Sequence, residues 1–571
     1  MTDHPWLKHY PETPRWDRHF DAKPLHCLIE EAAATWPDAV HMSFMGRSIR
    51  YRESADLVKR VAKGLQLMGV GKGVKVGLFL PNCPQFVIAY YAILKAGGTV
   101  VNFSPLYSVA ELLHQVEDSE TDFMVTLDLK ALYPQMRAVF DKSRLKKLIV
   151  CTLPEVLPFP KNLLFRLFRS SSVVSVARDR DHVFFSDLVR ADPDCAPVEI
   201  DPHEDVAVLQ YTGGTTGTPK GAMLTHANLS VNAAQTLYWD PSVQPGKDVM
   251  LGALPLFHVF AMTLVMNAST LGGAHIVLMP KFELEEALRL ITRYRVTLMP
   301  GVPTMFTAIL NHPKLADHDL SSIRSCFSGG APLPAEIKKR FEQALPGVVV
   351  NEGYGLTESS PTVSSNPIRG LQKSGSIGIP VPQTEIVIVD RDDPARRLGL
   401  KETGEIAVRG PQVMKGYWKK PEETAAVMHG DLLLTGDIGY MDGDGYSFII
   451  DRKKDLILVG GFNVFPRNVE EAIHRHPAVR EVTVIGVPDA YRGEAVKAFV
   501  ALKEGHELDA DKLLTFLKAH LGKHELPREI EFRDELPKTP VGKLSKKELV
   551  AEERAKYEAR MAKGSSDGQG S

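Results

Sequence analysis

The residues best equipped for chemistry lie in one run, Tyr211-Thr212-Gly213-Gly214-Thr215-Thr216-Gly217-Thr218-Pro219-Lys220-Gly221. Glycines let a backbone wrap closely around an oxyanion, and successive free N–H groups form an anion-binding concavity. Thr212, Thr215, Thr216 and Thr218 add hydroxyl donors, and Lys220 adds a positive charge. The combination predicts a phosphate cradle. A plain surface loop seldom gathers this many threonines and glycines around one lysine. The run follows neither G-x-x-x-x-G-K-[ST] nor G-x-G-x-x-G, so it stands outside the two best-known phosphate-binding classes.

Such a loop needs rigid flanks. An apolar run, Val206–Gln210, reads as the strand that delivers it, and helix-like sequence begins at Thr225. Upstream, Ser54–Met68 carries Ala55, Leu57, Val58, Val61, Ala62, Leu65 and Leu67 at helical spacing and stops at Gly69 and Gly71. Val74–Leu80 suits a buried parallel strand, Phe86–Lys95 a helix, Val100–Phe103 a strand, Glu111–Val116 a helix and Phe123–Leu127 a strand. This alternation predicts layered βα units around a mostly parallel sheet. Further on, Val482–Val487 and Ala498–Leu502 read as strands and Leu513–Leu521 as a helix.

Composition narrows the function classes. The 571 residues are 44% apolar and 24% charged, which is ordinary for a globular enzyme and excludes wholesale disorder. Lys plus Arg is 68 and Asp plus Glu is 70, a net charge of −2, so bulk-charge binding to nucleic acid is excluded. Cys27, Cys83, Cys151, Cys195 and Cys326 are scattered and form no C-x-x-C pair, which predicts free thiols in a reducing compartment. Met1–Tyr10 is too polar for a secretory signal, and the apolar runs Phe86–Leu94 and Leu256–Met266 are too short to span a bilayer. A cytoplasmic protein is expected. In residues 161–169, Leu163, Leu164, Leu167 and Phe168 share one helical face opposite Lys161, Arg166 and Arg169. Two readings fit: a short helix in peripheral contact with the inner membrane face, or one packed on its domain with the basic side in water.

The cradle resembles the phosphate-binding signature of the adenylate-forming enzymes: acyl-CoA synthetases, peptide-synthetase adenylation domains and luciferases. Further family motifs follow in order. They are Leu254-Pro-Leu-Phe-His258, Ser328-Gly-Gly-Ala-Pro332, Asn351-Glu-Gly-Tyr-Gly-Leu-Thr-Glu358, Thr435-Gly-Asp437, Asp451-Arg-Lys-Lys-Asp455 and Pro537-Lys-Thr-Pro-Val-Gly-Lys543. The resemblance spans roughly residues 20 to 555. Asp451–Pro466, Gln210–His226, Ser374–Pro382 and Trp6–Pro11 look most like bacterial long-chain fatty-acid–CoA ligases. Leu458, where many relatives outside the fatty-acyl branch carry lysine, points the same way. Leu432 and Leu434 depart from the usual long-chain pattern and weaken the fatty-acid signature.

The resemblance implies an α/β protein. A large multi-layer N-terminal domain, residues 1–453, would combine βα layers with a smaller β-rich subdomain. A small mobile α+β C-terminal domain, 454–561, would follow, and the small polar residues 562–571 would form a disordered tail. It implies that ATP activates a fatty acid as an acyl-adenylate, which coenzyme A then captures with loss of AMP. Medium-chain or dicarboxylic substrates, or loading of a separate carrier protein, are the alternatives.

By the same resemblance the nucleotide is held by Tyr211 through Gly221, by Gly329, Gly330 and Ala331, and by Glu352, Gly353, Tyr354, Gly355 and Thr357. Asp437 and Arg452 would hold the ribose. Glu358 would hold Mg²⁺, suiting a hard oxygen ligand. Lys543 would bridge the substrate carboxylate and the α-phosphate. His258, in isolation an ordinary core histidine, would stand near the substrate carboxylate. Lys454 would be the hinge between the two half-reactions, and Gly460 and Gly461 would lie close to the pantetheine arm. Partners are thus fatty acid, ATP and coenzyme A. The oligomeric state stays open, a homodimer among the options.

Overall fold

The computed structural model describes residues 4–13, 15–168, 172–212, 219–453, 455–459, 462–489, 493–539 and 542–566. Contacts divide the chain into two units. One holds residues 1–214, 218–385 and 408–433; the other holds 215–217, 386–407 and 434–571.

The first unit is built on two sheets. In spatial order the seven-stranded sheet runs His182–Phe184, Lys147–Cys151, Phe123–Leu127, Lys75–Phe79, Thr99–Asn102, Val206–Thr212, Lys220–Thr225. Its pairs are parallel except the last. Every residue of Lys75–Phe79 and Phe123–Leu127 is buried, which explains why these strands read as continuous apolar runs rather than alternating ones. The nine-stranded sheet runs Ile379–Pro380, Thr362–Ser365, Val349–Gly355, Ser325–Ser328, Leu298–Gly301, Val249–Gly252, His275–Leu278, Val40–Phe44, Arg47–Arg50. It is parallel through the middle and antiparallel at both ends.

Local chemistry sets the helices that cover these sheets. Tyr51–Leu67 starts where Glu53 accepts a bond from the Arg50 N–H, and it buries Ala55, Val58, Val61, Ala62 and Leu65 on one stripe. Val109–Ser119 is capped by Ser108 with Glu111, and His226–Trp239 by Thr225 with Asn228. Pro84–Lys95 is buried on all sides from Pro84 to Leu94, so its apolar run is a core helix. Among the described residues no helix is long and apolar enough to cross a membrane.

The second apolar run holds a feature with no signal in its periodicity: Ala261–Ala268 is a π-helix, beginning three residues after His258. Such wide turns are rare and are frequent at functional sites.

The chain forms two further sheets. One is five-stranded, in the order Glu385–Val389, Gly404–Arg409, Leu432–Met441, Met428–His429, with Ser447–Arg452 paired to Leu432–Met441. The other takes Phe462–Val464, Ile457–Val459, Gly493–Leu502 and Val479–Asp489, with Glu529–Phe532 alongside Gly493–Leu502. The helices Pro466–His474 and Ala510–Leu517 close a separate core on Val464, Val469, Ile473, Val484, Val500 and Leu513. This is the expected α/β architecture with a smaller α+β part. The helix Lys546–Ser566 runs past Ala562, five residues into the expected tail; its body, Lys546–Lys563, is rich in Lys, Glu, Ala and Arg, which are strong helix formers. Residues 567–571 lie outside the described residues.

Candidate active site

In the first unit most of the described candidates lie at or just past the carboxyl ends of strands, where open α/β sheets bind ligands, with Lys220 and Gly221 at the start of an antiparallel one. Val206–Thr212 and Lys220–Thr225 pair antiparallel, with Thr212 opposite Lys220 and Tyr211 opposite Gly221. Gly213, Gly214, Thr215, Thr216, Gly217 and Thr218 lie outside the described residues. What is described is the clamp at the base of that loop. Tyr211 is buried, its hydroxyl donates to Asp118 Oδ2, and its ring fills the space that a side chain at Gly221 would need. Burial, then the Asp118 carboxylate, hold that phenol far above its usual range. The Tyr211 side chain is therefore anchored on Asp118.

Lys220 Nζ stands 5.1 Å over the ring of Tyr417. The hydroxyl of Tyr417 donates to Glu358 Oε1 at 2.7 Å. Burial and the Glu358 charge raise the Tyr417 pKa well above the phenol range, so the proton stays on its oxygen and the carboxylate accepts. Glu358 is an ionisable hard-oxygen donor oriented by a neighbour. That chemistry fits Mg²⁺.

Strands Ser325–Ser328 and Val349–Gly355 are neighbours, with Ser328 opposite Glu352. Their ends carry Gly329, Gly330 and Ala331 on one side and Glu352, Gly353, Tyr354 and Gly355 on the other. Glu352 Oε1 accepts from the Leu333 N–H, tying the two segments together. Gly330 has φ +82°, and a Cβ on Gly355 would lie 1.8 Å from the Pro361 carbonyl oxygen, so both positions require glycine. Tyr354 is largely buried opposite Ser364. Thr357 and Glu358 sit in the short 3₁₀ turn Thr357–Ser359, and Thr263 of the π-helix donates to the Ser360 carbonyl just beyond it.

His258 is half-buried ahead of the π-helix, and its Nδ1 accepts from the Phe260 N–H at 3.3 Å. Phe260 in turn packs on Gly329, where a Cβ would lie 3.1 Å from its ring. The segment leading to His258 is clamped by two buried amides. Asn82 donates to the Gly252 and Leu254 carbonyls and accepts from the Leu256 N–H. Gln210 donates to the Phe257 carbonyl and is itself held by Asn102.

The second unit gathers three of the remaining candidates. Asp437 is buried and faces Arg452 across an antiparallel pair, Oδ1 to Nε 3.1 Å. Lys543 closes a tight loop, its N–H donating to Thr539 Oγ1 and its carbonyl accepting from the Thr539 N–H. Desolvation, then repulsion from Arg452, lowers the Lys543 ammonium to about 8. Lys454, Gly460 and Gly461 lie outside the described residues.

Sequence reasoning missed Tyr417, Asn82 and Gln210. Tyr417 stands in an unremarkable Gly-Tyr-Trp-Lys-Lys run, and its carboxylate partner is 59 residues away. Asn82 reads as a turn residue after Pro81.

Comparison with known proteins settles the family. The profile described as "AMP-binding enzyme" matches residues 29–418, and that of the "AMP-binding enzyme C-terminal domain" matches 468–543. The chain belongs to the AMP-binding enzyme family. This AMP-binding enzyme is 44% identical over 553 residues to the long-chain-fatty-acid–CoA ligase of Bacillus subtilis, covering 96% of this chain and 98% of that one. It is 38% identical to the ligase of the same name from Escherichia coli O157:H7, covering 97% and 99%. Among solved structures, ATP-bound MatB from Rhodopseudomonas palustris matches with TM-score 0.80 at 30% identity, covering 92% of this chain and 98% of that one. The anthranilate CoA ligase AuaEII in complex with anthranoyl-AMP matches with TM-score 0.83 at 25% identity, covering 94% and 98%.

Proposed function

We propose that this AMP-binding enzyme joins a long-chain fatty acid to coenzyme A at the expense of ATP. The carboxylate attacks the α-phosphorus, giving acyl-adenylate and pyrophosphate; the thiol of coenzyme A then displaces AMP. The observation that carries the reading is the near end-to-end similarity to long-chain-fatty-acid–CoA ligases, 44% identical in the Bacillus relative.

Both reactants of the first step are anions, so the site must offset charge and hold them in line. In this reading Thr212 to Thr216, with Lys220, hold the outer phosphates and Thr357 the α-phosphate. Tyr354 offers a flat face to adenine, and Gly329, Gly330 and Ala331 allow close approach. Asp437 accepts from the ribose hydroxyls with Arg452 beside it. Glu358 holds Mg²⁺, which when bound offsets phosphate charge. Lys543 draws the carboxylate and α-phosphate together, and His258 lies near the carboxylate. Gly460 and Gly461 admit the pantetheine arm after movement at Lys454, with residues 454–561 as the mobile part.

The reading extends to a peripheral position at the inner membrane face. On the helix Lys161–Phe168, Leu163 and Leu164 are exposed, Phe159 just before it is 81% exposed, and Lys161 Nζ bonds the carbonyl of exposed Met45. Exposed large apolar side chains grouped on a short amphipathic helix suit a lipid surface that stores the substrate.

Turnover of the purified enzyme with ATP, free coenzyme A and mono- and dicarboxylic acids of six to eighteen carbons tests the function. Acyl-CoA, AMP and pyrophosphate should appear in equal amounts, fastest with the long monocarboxylic acids. Adenylate without thioester would overturn the reading, and a medium-chain or dicarboxylate optimum would overturn its substrate class.

A further inference from the structure

Tyr417 is engaged from four directions. Its backbone N–H donates to Thr424 Oγ1, its residue bridges Ala222 of the strand Lys220–Thr225, its hydroxyl donates to Glu358 Oε1, and its ring lies beneath Lys220 Nζ. The segment around it is laced to the same two places. The Met414 N–H donates to the Glu358 carbonyl, the Met223 N–H to the Gly416 carbonyl, and the Trp418 N–H to the Gly221 carbonyl. The side chain of Glu358 and that of Lys220 thus share one rigid, buried aromatic, although neither lies near it in sequence.

We propose that Tyr417 is a positioning residue for the binding of ATP with its divalent cation. Its hydroxyl sets the attitude in which Glu358 meets the cation, and its ring seats the lysine that serves the phosphates. An ionised carboxylate offers about four acceptor sites, so one bond to Oε1 orients it without exhausting it. A hydrogen bond to a charged group is among the stronger single contacts, and groups behind a ligating residue are felt in affinity for the metal. The ammonium over the ring face is held by the ring quadrupole. The inference rests on the reading that Glu358 is the cation's carboxylate.

The test uses the full chain and three variants: Tyr417→Phe, which removes only the hydroxyl, Tyr417→Leu, which removes the ring as well, and Glu358→Gln. ATP binding is measured by titration calorimetry across Mg²⁺ concentrations, with thermal melting to show that each variant is folded. Tyr417→Phe should raise the Mg²⁺ needed for half-maximal tightening of ATP by about tenfold while leaving the affinity for ATP without Mg²⁺ unchanged. Tyr417→Leu should weaken ATP binding even without Mg²⁺. If Glu358→Gln shifts the Mg²⁺ dependence and Tyr417→Phe does not, the proposal for Tyr417 fails alone. If Glu358→Gln itself leaves that dependence unmoved, the reading of Glu358 fails. Equal weakening by Tyr417→Phe at every Mg²⁺ concentration would mark a purely structural role and also overturn the proposal.

Discussion

Lys543 illustrates what the surroundings do to a single side chain. A lysine in a basic C-terminal stretch is ordinarily a solvated charge with a pKa near 10.4. Here burial and the neighbouring Arg452 bring it to about 8. Its ammonium is fully present below that value and is lost as pH rises through it. The kcat/KM for adenylation should therefore fall above about pH 8, well before an ordinary lysine would titrate. Arg452→Gln removes the like charge and should move that fall to higher pH; an unchanged midpoint in the pH profile would contradict the assignment. Lys543→Ala should abolish acyl-adenylate formation, measured as pyrophosphate exchange, while supplied acyl-adenylate still yields thioester. Equal loss of both half-reactions would refute the role given to this lysine.

At the scale of elements, the site depends on segments held by buried amides. Asn82, just past the end of the strand Lys75–Phe79 in one sheet, reaches two carbonyls and one N–H of residues 252–256, which leave the other sheet. Asn82→Ala would strand these groups without partners, and unsatisfied buried groups cost about 1–3 kcal/mol each. A thermal melt should show a fall of several degrees. The helix Lys161–Phe168 makes a different claim. Phe159→Ser with Leu163→Ser should cut partitioning to anionic vesicles about a hundredfold or more, since each buried apolar side chain contributes about 1.5–3 kcal/mol. Turnover of a water-soluble acid should not change. Vesicle sedimentation equal to wild type would remove the membrane from the reading.

For the whole molecule, residues 457–517 close a hydrophobic core of their own, distinct from the one shared by residues 25–433. Independent cores are what allow one body to move without unfolding the other. Lys454→Pro, which restricts backbone rotation at the proposed hinge, should impair thioester formation and spare adenylation, the converse of Lys543→Ala. Stopped-flow measurement of AMP release separates the two steps, and adenylation lost along with thioester formation would count against a hinge there.

Much of this protein was legible in its sequence, for a physical reason: secondary structure and motif chemistry are local. The buried strands Lys75–Phe79 and Phe123–Leu127 and the stripe on Tyr51–Leu67 follow from which residues avoid water. The Thr/Gly/Lys run shows its chemistry in its own composition, and the ordered motifs carry the family. What tertiary structure alone decided depends on distant residues and on exclusion of water. No spacing places Tyr417 on Glu358, Asn82 on Leu254 or Gln210 on Phe257, because each pair meets only when separate elements pack. The π-helical turn Ala261–Ala268 has no periodicity to betray it. The bond from the Tyr211 hydroxyl to Asp118 likewise joins residues far apart in the chain. Lys543 became a group that titrates near 8 only once folding had buried it beside Arg452.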